Sequence, residues 1–389
     1  MGTAEELELS VVMPCLNEAD TLETCIGKAQ RAMAEAGIAG EVVVADNGST
    51  DGSIQIAERM GARVVHVSDR GYGSALMGGI DAAGGRYVLM GDADDSYDFL
   101  EVPRFVEKLR EGYELVQGCR RPSGGGTILP GAMPFLHRWL GNPLFSAMAR
   151  RMFHTPFNDA YCGMRAFTKP FYERMALRFT GMEFAIEMLV KASLYREKSA
   201  EVPITLHPDG RTSHGPHLRT FRDGWRTVRF FLVNSPRWLF LIPGIALLVL
   251  GALGYALALP GVRLFGVAFD AHTLLVSSLA VLLGYQAIFF AVFAKTFGIT
   301  EGLLPRDPRI DRFFEVLYLE RGIGLGLAGL VVGLALLTVA VGQWRAAGFG
   351  DLDYGRTMRW VVPGVTLAAL GFQTVLSSFL VSILGMRRR

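Results

Sequence analysis

Four stretches in the second half of the chain, at about 238–259, 272–297, 322–342 and 360–385, are apolar for long enough to cross roughly 30 Å of hydrocarbon as helices. Lipid offers no partner for backbone N–H and C=O groups, so a helix is the form open to each. No ionisable residue lies near the centre of any of them; Lys295, close to the end of the second, can snorkel to the interface. A mean hydropathy of +0.30 with 50% hydrophobic residues is high for a soluble enzyme, and most of the charge falls in the first 235 residues. The expected organisation is a polar domain over 1–215, a connecting segment over 216–237 and a transmembrane domain over 238–389.

Loop charge predicts orientation. Arg306, Arg309, Arg312 and Arg321 separate the second and third spans and Arg387, Arg388 and Arg389 close the chain, against Arg263 in one opposite loop and Arg345, Arg356 and Arg359 in the other. Both ends of the membrane domain, and with them the polar domain, are therefore expected on the cytoplasmic side. The acidic first ten residues carry no signal-peptide pattern, and Cys15, Cys25, Cys119 and Cys162 fall in no metal or CxxC spacing, as expected of reduced cytosolic thiols. Between the halves, Arg219, Arg222, Arg226 and Arg229 interleave with Phe221, Trp225, Val228 and Leu232. This predicts a basic amphipathic helix in the headgroup plane, with an ordinary surface helix as the alternative.

In the polar half, apolar runs at 9–13, 41–45, 63–67 and 86–90 alternate with helix-like stretches at 21–37, 53–61 and 71–84. The alternation predicts an α/β domain with a largely parallel, doubly wound sheet, which binds ligands at the carboxyl ends of its strands. Acidic residues fall at those ends. Asp92-Ala93-Asp94 ends the fourth run, and two carboxylates on one turn can share a hard cation such as Mg²⁺ or Mn²⁺ whose remaining ligands are substrate phosphates. Asp46, at the end of the second run, is placed to bind a nucleotide base or ribose, while Asn47-Gly48-Ser49-Thr50-Asp51-Gly52 also satisfies turn chemistry. Gly71-Tyr72-Gly73 follows the third run and can approach donor phosphates with bare backbone.

In order and spacing, Pro14-Cys15-Leu16-Asn17-Glu18, the turn from Asp46 to Gly52 and Gly91-Asp92-Ala93-Asp94-Asp95 resemble the nucleotide-sugar domain of family 2 glycosyltransferases over about residues 8–215. The resemblance implies a GT-A (Rossmann-like) fold, a nucleoside-diphosphate sugar donor and Mg²⁺ or Mn²⁺. Carried over by position, Pro14, Leu16, Asn17, Glu18 and Asp46 contact the nucleoside, Asp92 and Asp94 engage the diphosphate and metal, and Arg70 and Gly73 neighbour the nucleotide. The family's third metal ligand, often Gln, is Ser96 here, which leaves a direct or a water-mediated contact open. Gly118-Cys119-Arg120, Asp159 to Arg165, Gly181-Met182-Glu183-Phe184 and Arg211-Thr212-Ser213 resemble in particular the polyprenyl-phosphate (dolichyl-phosphate) hexose synthases. That likeness implies a polyprenyl phosphate acceptor and a UDP-glucose donor, with GDP-mannose or another lipid acceptor as alternatives.

The acceptor chemistry stands without the family. A phosphate monoester is largely dianionic at neutral pH, because its second pKa is about 6. It is already a nucleophile, so the transferase needs cations to hold two repelling phosphates rather than a strong general base. Arg120, Arg165 and Arg211 are the candidates, since the guanidinium fork binds phosphate bidentately; a salt bridge is the competing reading for each. Asp159 is expected either to bind sugar hydroxyls or the acceptor, or to pair with Arg165. Glu183 either shares that work or is the first-turn acid of the following helix. The seven histidines show no metal-ligand spacing.

Rival functions fare worse. A formal net charge of +2 gives no basic field for nucleic acid. A processive polysaccharide synthase would carry a Gln-x-x-Arg-Trp motif, which this chain lacks; Arg237-Trp238 has no such setting. A transporter would show charged or broken spans. Four spans exceed what reaching a lipid requires, which leaves guidance of the polyprenyl tail and a homo-oligomer as readings of the remainder.

Overall fold

The computed structural model describes residues 7–213, 220–316 and 319–385. His214, His217 and Arg219, and the terminal Arg387, Arg388 and Arg389, lie outside the described residues. The chain divides into two compact units, Met1–Phe231 and Leu232–Arg389.

The first unit is built on β1 (Leu9–Cys15), β2 (Gly40–Asp46), β3 (Arg63–His66), β4 (Tyr87–Met90), β5 (Leu115–Cys119), the short β6 (Thr127–Ile128), β7 (Arg165–Thr168), β8 (Ser199–Pro203) and the short β9 (Thr205–Leu206). Seven of these form one sheet in the order β3-β2-β1-β4-β7-β5-β8, and β6 pairs separately with β9. Only β7 runs against its neighbours, antiparallel to both β4 and β5. This is the GT-A-like α/β sheet that the motifs imply.

Alternation along the strands explains why the runs read as continuously apolar. Val11, Met13, Val42, Val44 and Leu89 enter one core with α1 (Leu22–Glu35). Val12, Val43, Val88 and Met90 enter the other, with Leu76 and Ile80. Successive side chains point to opposite faces and both faces are covered, so apolar residues fill nearly every position; the buried Ser10 of β1 donates its hydroxyl to Glu41. The other helices of this unit are α2 (Ser53–Arg59), α3 (Tyr72–Ala82), α4 (Val102–Arg110), α5 (Asn142–Phe153), α6 (Lys169–Met175), α7 (Glu183–Tyr195) and α8 (Thr220–Val233).

α8 carries the interleaved arginines. Phe230 and Phe231 are buried in the second core, with the Phe231 ring 5.5 Å from Phe153 and that of Phe230 5.1 Å from Phe179. Phe221 and Trp225 face outward, 85% and 63% exposed. The apolar side of this helix thus divides between the protein core and the solvent-facing surface.

In the second unit, four helices are long and apolar enough to cross a membrane: Arg237–Ala258, Ala271–Thr300, Leu319–Ala346 and Tyr354–Gly385. They comprise α9 (Ile242–Ala258) with the turn before it, α10 (Ala271–Thr300), α12 (Leu319–Ala346) and α13 (Tyr354–Gly385), and α11 (Pro308–Val316) lies between the second and third. Glycines set their spacing. A Cβ at Gly251 would stand 2.8 Å from the Ser277 carbonyl oxygen, and one at Gly326 2.7 Å from that of Gly371. Small residues at such contacts let helix backbones approach.

Candidate active site

The strand register brings distant motifs to one edge. Cys15 pairs with Asp46 and Val12 with Met90, so residues 14–18, 46–52 and 91–96 leave the sheet together. β5 and β8 run parallel to each other and in the same sense, so they deliver Arg120 and, past β9, residues 207–213 to that edge. β7, being reversed, enters from it and brings residues 159–165.

At one end the first two motifs are stitched into a single cradle. Asn17, with φ 61, accepts from Thr50 N at 2.8 Å through its side-chain oxygen, and its own N–H donates to Ser49 Oγ at 3.0 Å. Glu18 N donates to Ser53 Oγ at 2.9 Å and Ala19 N to Asp51 Oδ2 at 2.9 Å. Asn47 spans to the next loop: its Nδ2 donates to Val67 O and Asp69 O, and its Oδ1 accepts from Gly71 N. Asp46 is 3% exposed and accepts from Gly48 N and Ser49 N at 3.1 and 3.0 Å. Burial works to raise its pKa, but these hydrogen bonds win and hold the carboxyl below the usual range. Pro14 is half-buried, Leu16 and Arg70 are exposed, and Gly73 packs so closely that a Cβ would meet Phe179 O at 2.5 Å.

At the other end stand Asp92 and Asp94. Tyr72 donates its hydroxyl to Asp92 Oδ1 at 2.8 Å. Burial and the neighbouring Asp94 charge push the Asp92 carboxyl up to about 6. Asp94 Oδ1 accepts from Ser96 N and from Ser96 Oγ at 3.0 and 2.6 Å, so the Ser96 hydroxyl proton buttresses Asp94. An all-oxygen pair of neighbouring carboxylates fits a hard divalent cation. Among the described residues no three His, Cys, Asp or Glu side chains are gathered as a cage. One or two carboxylates completed by substrate phosphates is the usual arrangement for Mg²⁺.

The three arginines have three different environments. Arg120 pairs with Asp159 through Nε at 2.7 Å and Nη2 at 2.9 Å, and its backbone N–H reaches the same carboxylate at 3.1 Å. Asp159, 39 positions away, therefore pairs with Arg120 and not with Arg165. Burial opposes ionisation of Asp159, but Arg120 outweighs it and keeps the pKa low. Arg165 is fully buried, donating to the carbonyls of Ala185 and, at 2.7 Å, Cys162. Burial lowers its pKa. Arg211 joins Glu18 Oε1 at 3.1 Å, Asp94 Oδ2 at 3.3 Å and Asp209 Oδ2 at 2.6 Å. Glu183 sits in the first turn of α7, its carboxylate 3.9 Å from Arg226 Nε on α8.

Several positions had no signal in the sequence. Tyr97 Oη accepts from Gly163 N at 2.8 Å and Arg120 Nη1 at 3.4 Å, tying the third motif to the Asp159–Arg165 segment. Asp20 Oδ2 accepts from Thr212 N, Thr212 Oγ1 and Ser213 N. A tyrosine or aspartate in a loop announces no such partner, because the partner lies up to 193 positions away.

Residues 10–174 match the family described as Glycosyl transferase family 2, and residues 292–385 the Glycosyltransferase family 2 C-terminal transmembrane region. The chain is similar to the low-salt glycan biosynthesis hexosyltransferase Agl6 of Haloferax volcanii, 39% identical over 379 residues, covering 97% of this chain and 89% of that protein. A dolichyl-phosphate hexose transferase of the same organism is 31% identical over 198 residues, 51% of this chain and 82% of its own. A crystal structure of glucosyl-3-phosphoglycerate synthase from Mycobacterium tuberculosis with phosphoglyceric acid aligns at 26% identity over 58% of this chain and 79% of its own, with a TM-score of 0.45.

Proposed function

Because the chain belongs to glycosyltransferase family 2, we propose that it transfers a hexose, with inversion and with the help of a divalent cation, from a nucleotide sugar to a polyprenyl phosphate at the cytoplasmic membrane face. The observation that carries this reading is the shared edge: Asp46, the Asp92–Asp94 pair and Arg211 are delivered to one side of one sheet. The 31% identity to a dolichyl-phosphate hexose transferase supports a polyprenyl acceptor, and the four apolar helices suit a lipid substrate. UDP-glucose is the favoured donor and GDP-mannose the alternative, both on family resemblance.

In this mechanism Asp46 and the Asn17–Ser49–Thr50 cradle bind the nucleoside. Asp92 and Asp94 would hold Mg²⁺ or Mn²⁺, whose charge would stabilise the departing diphosphate. An acceptor phosphate oxygen attacks the anomeric carbon as the bond from that carbon to the diphosphate oxygen breaks, releasing nucleoside diphosphate and inverting the centre. The acceptor arrives ionised, so no side chain needs to take a proton. Arg211 is the residue assigned to hold the acceptor phosphate, and the Arg120–Asp159 pair stiffens the segment that carries Gly163 against Tyr97.

The test incubates purified full-length protein with a polyprenyl phosphate, Mg²⁺ or Mn²⁺ and a panel of nucleotide sugars, and looks for lipid-linked sugar. The reading fails if no donor yields product, or if Asp94→Ala is as active as wild type.

A further inference from the structure

Neither oxygen of Asp94 is free of a donor. Oδ1 takes both hydrogen bonds from Ser96, and Oδ2 faces the Arg211 guanidinium at 3.3 Å. A cation bound by Asp94 therefore needs the oxygen that Arg211 already touches. The guanidinium is held unevenly: two of its nitrogens engage Asp209 at 2.6–3.1 Å, while the contact to Asp94 is the longest of its set. The arginine side chain is only 8% exposed, so water screens little of this competition.

The segment bearing Arg211 lies along the Asp92–Ser96 turn like a strap. His207 N donates to Ser96 O and Gly210 N to Asp94 O, each at 2.9 Å. Past Arg211, Thr212 N, Thr212 Oγ1 and Ser213 N all donate to Asp20 Oδ2 at 2.9, 3.0 and 2.8 Å. Asp20 is exposed, so water can replace these bonds at modest cost. The strap thus has a buried ionic grip at Arg211 and a solvent-exposed latch beside it.

We infer that Arg211 is an exchangeable counter-cation: it competes with the divalent cation for Asp94 Oδ2, and cation entry turns its guanidinium outward to hold the acceptor phosphate. This rests on the reading of Asp92 and Asp94 as the cation site. Two cations cannot share one carboxylate oxygen without strong mutual repulsion, and the divalent one wins by charge. Because the outward guanidinium exists only after the cation is in place, loading of the donor with its cation precedes productive acceptor binding. Arg211 is in this sense a positioning residue for the order of binding as well as a phosphate ligand.

The test measures Mn²⁺ binding, with no nucleotide present, to chelator-treated full-length protein by calorimetry or by the spin-resonance signal of free Mn²⁺. Arg211→Gln removes the competing charge and is expected to tighten binding by about tenfold, while Arg211→Lys, which keeps the charge, stays close to wild type. Asp20→Ala opens the latch without touching the arginine and is expected to tighten binding in the same direction by a smaller factor, which also covers the case in which Arg211→Gln does not fold. If Asp94→Asn abolishes Mn²⁺ binding but Arg211→Gln and Asp20→Ala bind no tighter than wild type, the inference is overturned and the cation site survives. If wild type and all variants bind no Mn²⁺, either alone or with a nucleoside diphosphate present to complete the site, the cation reading falls and this inference with it.

Discussion

The Tyr72 hydroxyl, at the start of α3, donates to Asp92 Oδ1 at 2.8 Å, so an aromatic residue twenty positions upstream stabilises the ionised form of a carboxylate that burial and Asp94 work to neutralise. The balance leaves Asp92 with a pKa of about 6. Cation affinity should therefore be full above that pH and fall as pH drops through it, by about tenfold per unit below. Removing the donor in Tyr72→Phe raises the Asp92 pKa further and shifts the acid limb upward by roughly one unit, given that a hydrogen bond to a charged group is worth about 1.5–3 kcal/mol. Mn²⁺ titrations across pH for the two proteins check this; superimposable profiles would refute it.

Asp94→Asn keeps the shape of the turn and the Ser96 contacts while removing one charge. Transfer is expected to fall by about 10²–10³-fold, as for loss of one electrostatic contact in a water-poor site. Thermal stability should change little, because the charge removed is also the one that raises Asp92. Initial rates at saturating donor, set beside a melting curve, separate the two effects.

The Arg120–Asp159 pair is buried, with side chains 8% and 0% exposed. Either single replacement, Arg120→Met or Asp159→Leu, leaves a buried charge unpaired and should destabilise the first unit by about 3–5 kcal/mol. The double replacement should recover most of that loss, since an apolar pair often substitutes for an ionic one. Recovery of the melting temperature without recovery of transfer would mark the pair as positioning machinery; recovery of both would reduce it to a structural bridge.

Gly326→Val places side-chain atoms where a Cβ alone would stand 2.7 Å from the Gly371 carbonyl oxygen. α12 and α13 must then separate, costing about 1–3 kcal/mol as overpacked contacts do. Gly342, with nothing near its Cβ position, serves as the control: Gly342→Val should leave the melting temperature of the detergent-solubilised protein nearly unchanged.

Local chemistry made much of this molecule legible. The expected spans at 238–259, 272–297, 322–342 and 360–385 each match one helix of the structure, the first running one residue past Ala258 and the other three lying within longer helices, because length and apolarity are properties of a single segment. Of the first four strands, β2 and β4 were equally readable, since burial on both sheet faces leaves an apolar run whose end is marked by Asp46 or Asp92, whereas β3, at the sheet edge with Arg63 and His66 exposed, shows only its two central valines. β5, β7 and β8 carry no such mark. Gln117 lies in the middle of β5 and Arg165 at the head of β7, both fully buried, and residues of that kind do not announce a strand.

What the sequence determined alone was the division into a polar α/β domain and a set of helices long and apolar enough to cross a membrane, together with the three acidic or amide-bearing turns at strand ends; each depends on neighbours within a few residues. What only the tertiary structure decided was pairing. That Arg120 rather than Arg165 meets Asp159, that Arg165 is sealed among carbonyls and that Arg211 spans Glu18, Asp94 and Asp209 all follow from one reversed strand and from a strap returning after β9. Charges choose partners by distance and burial in three dimensions, and a chain read in order records neither.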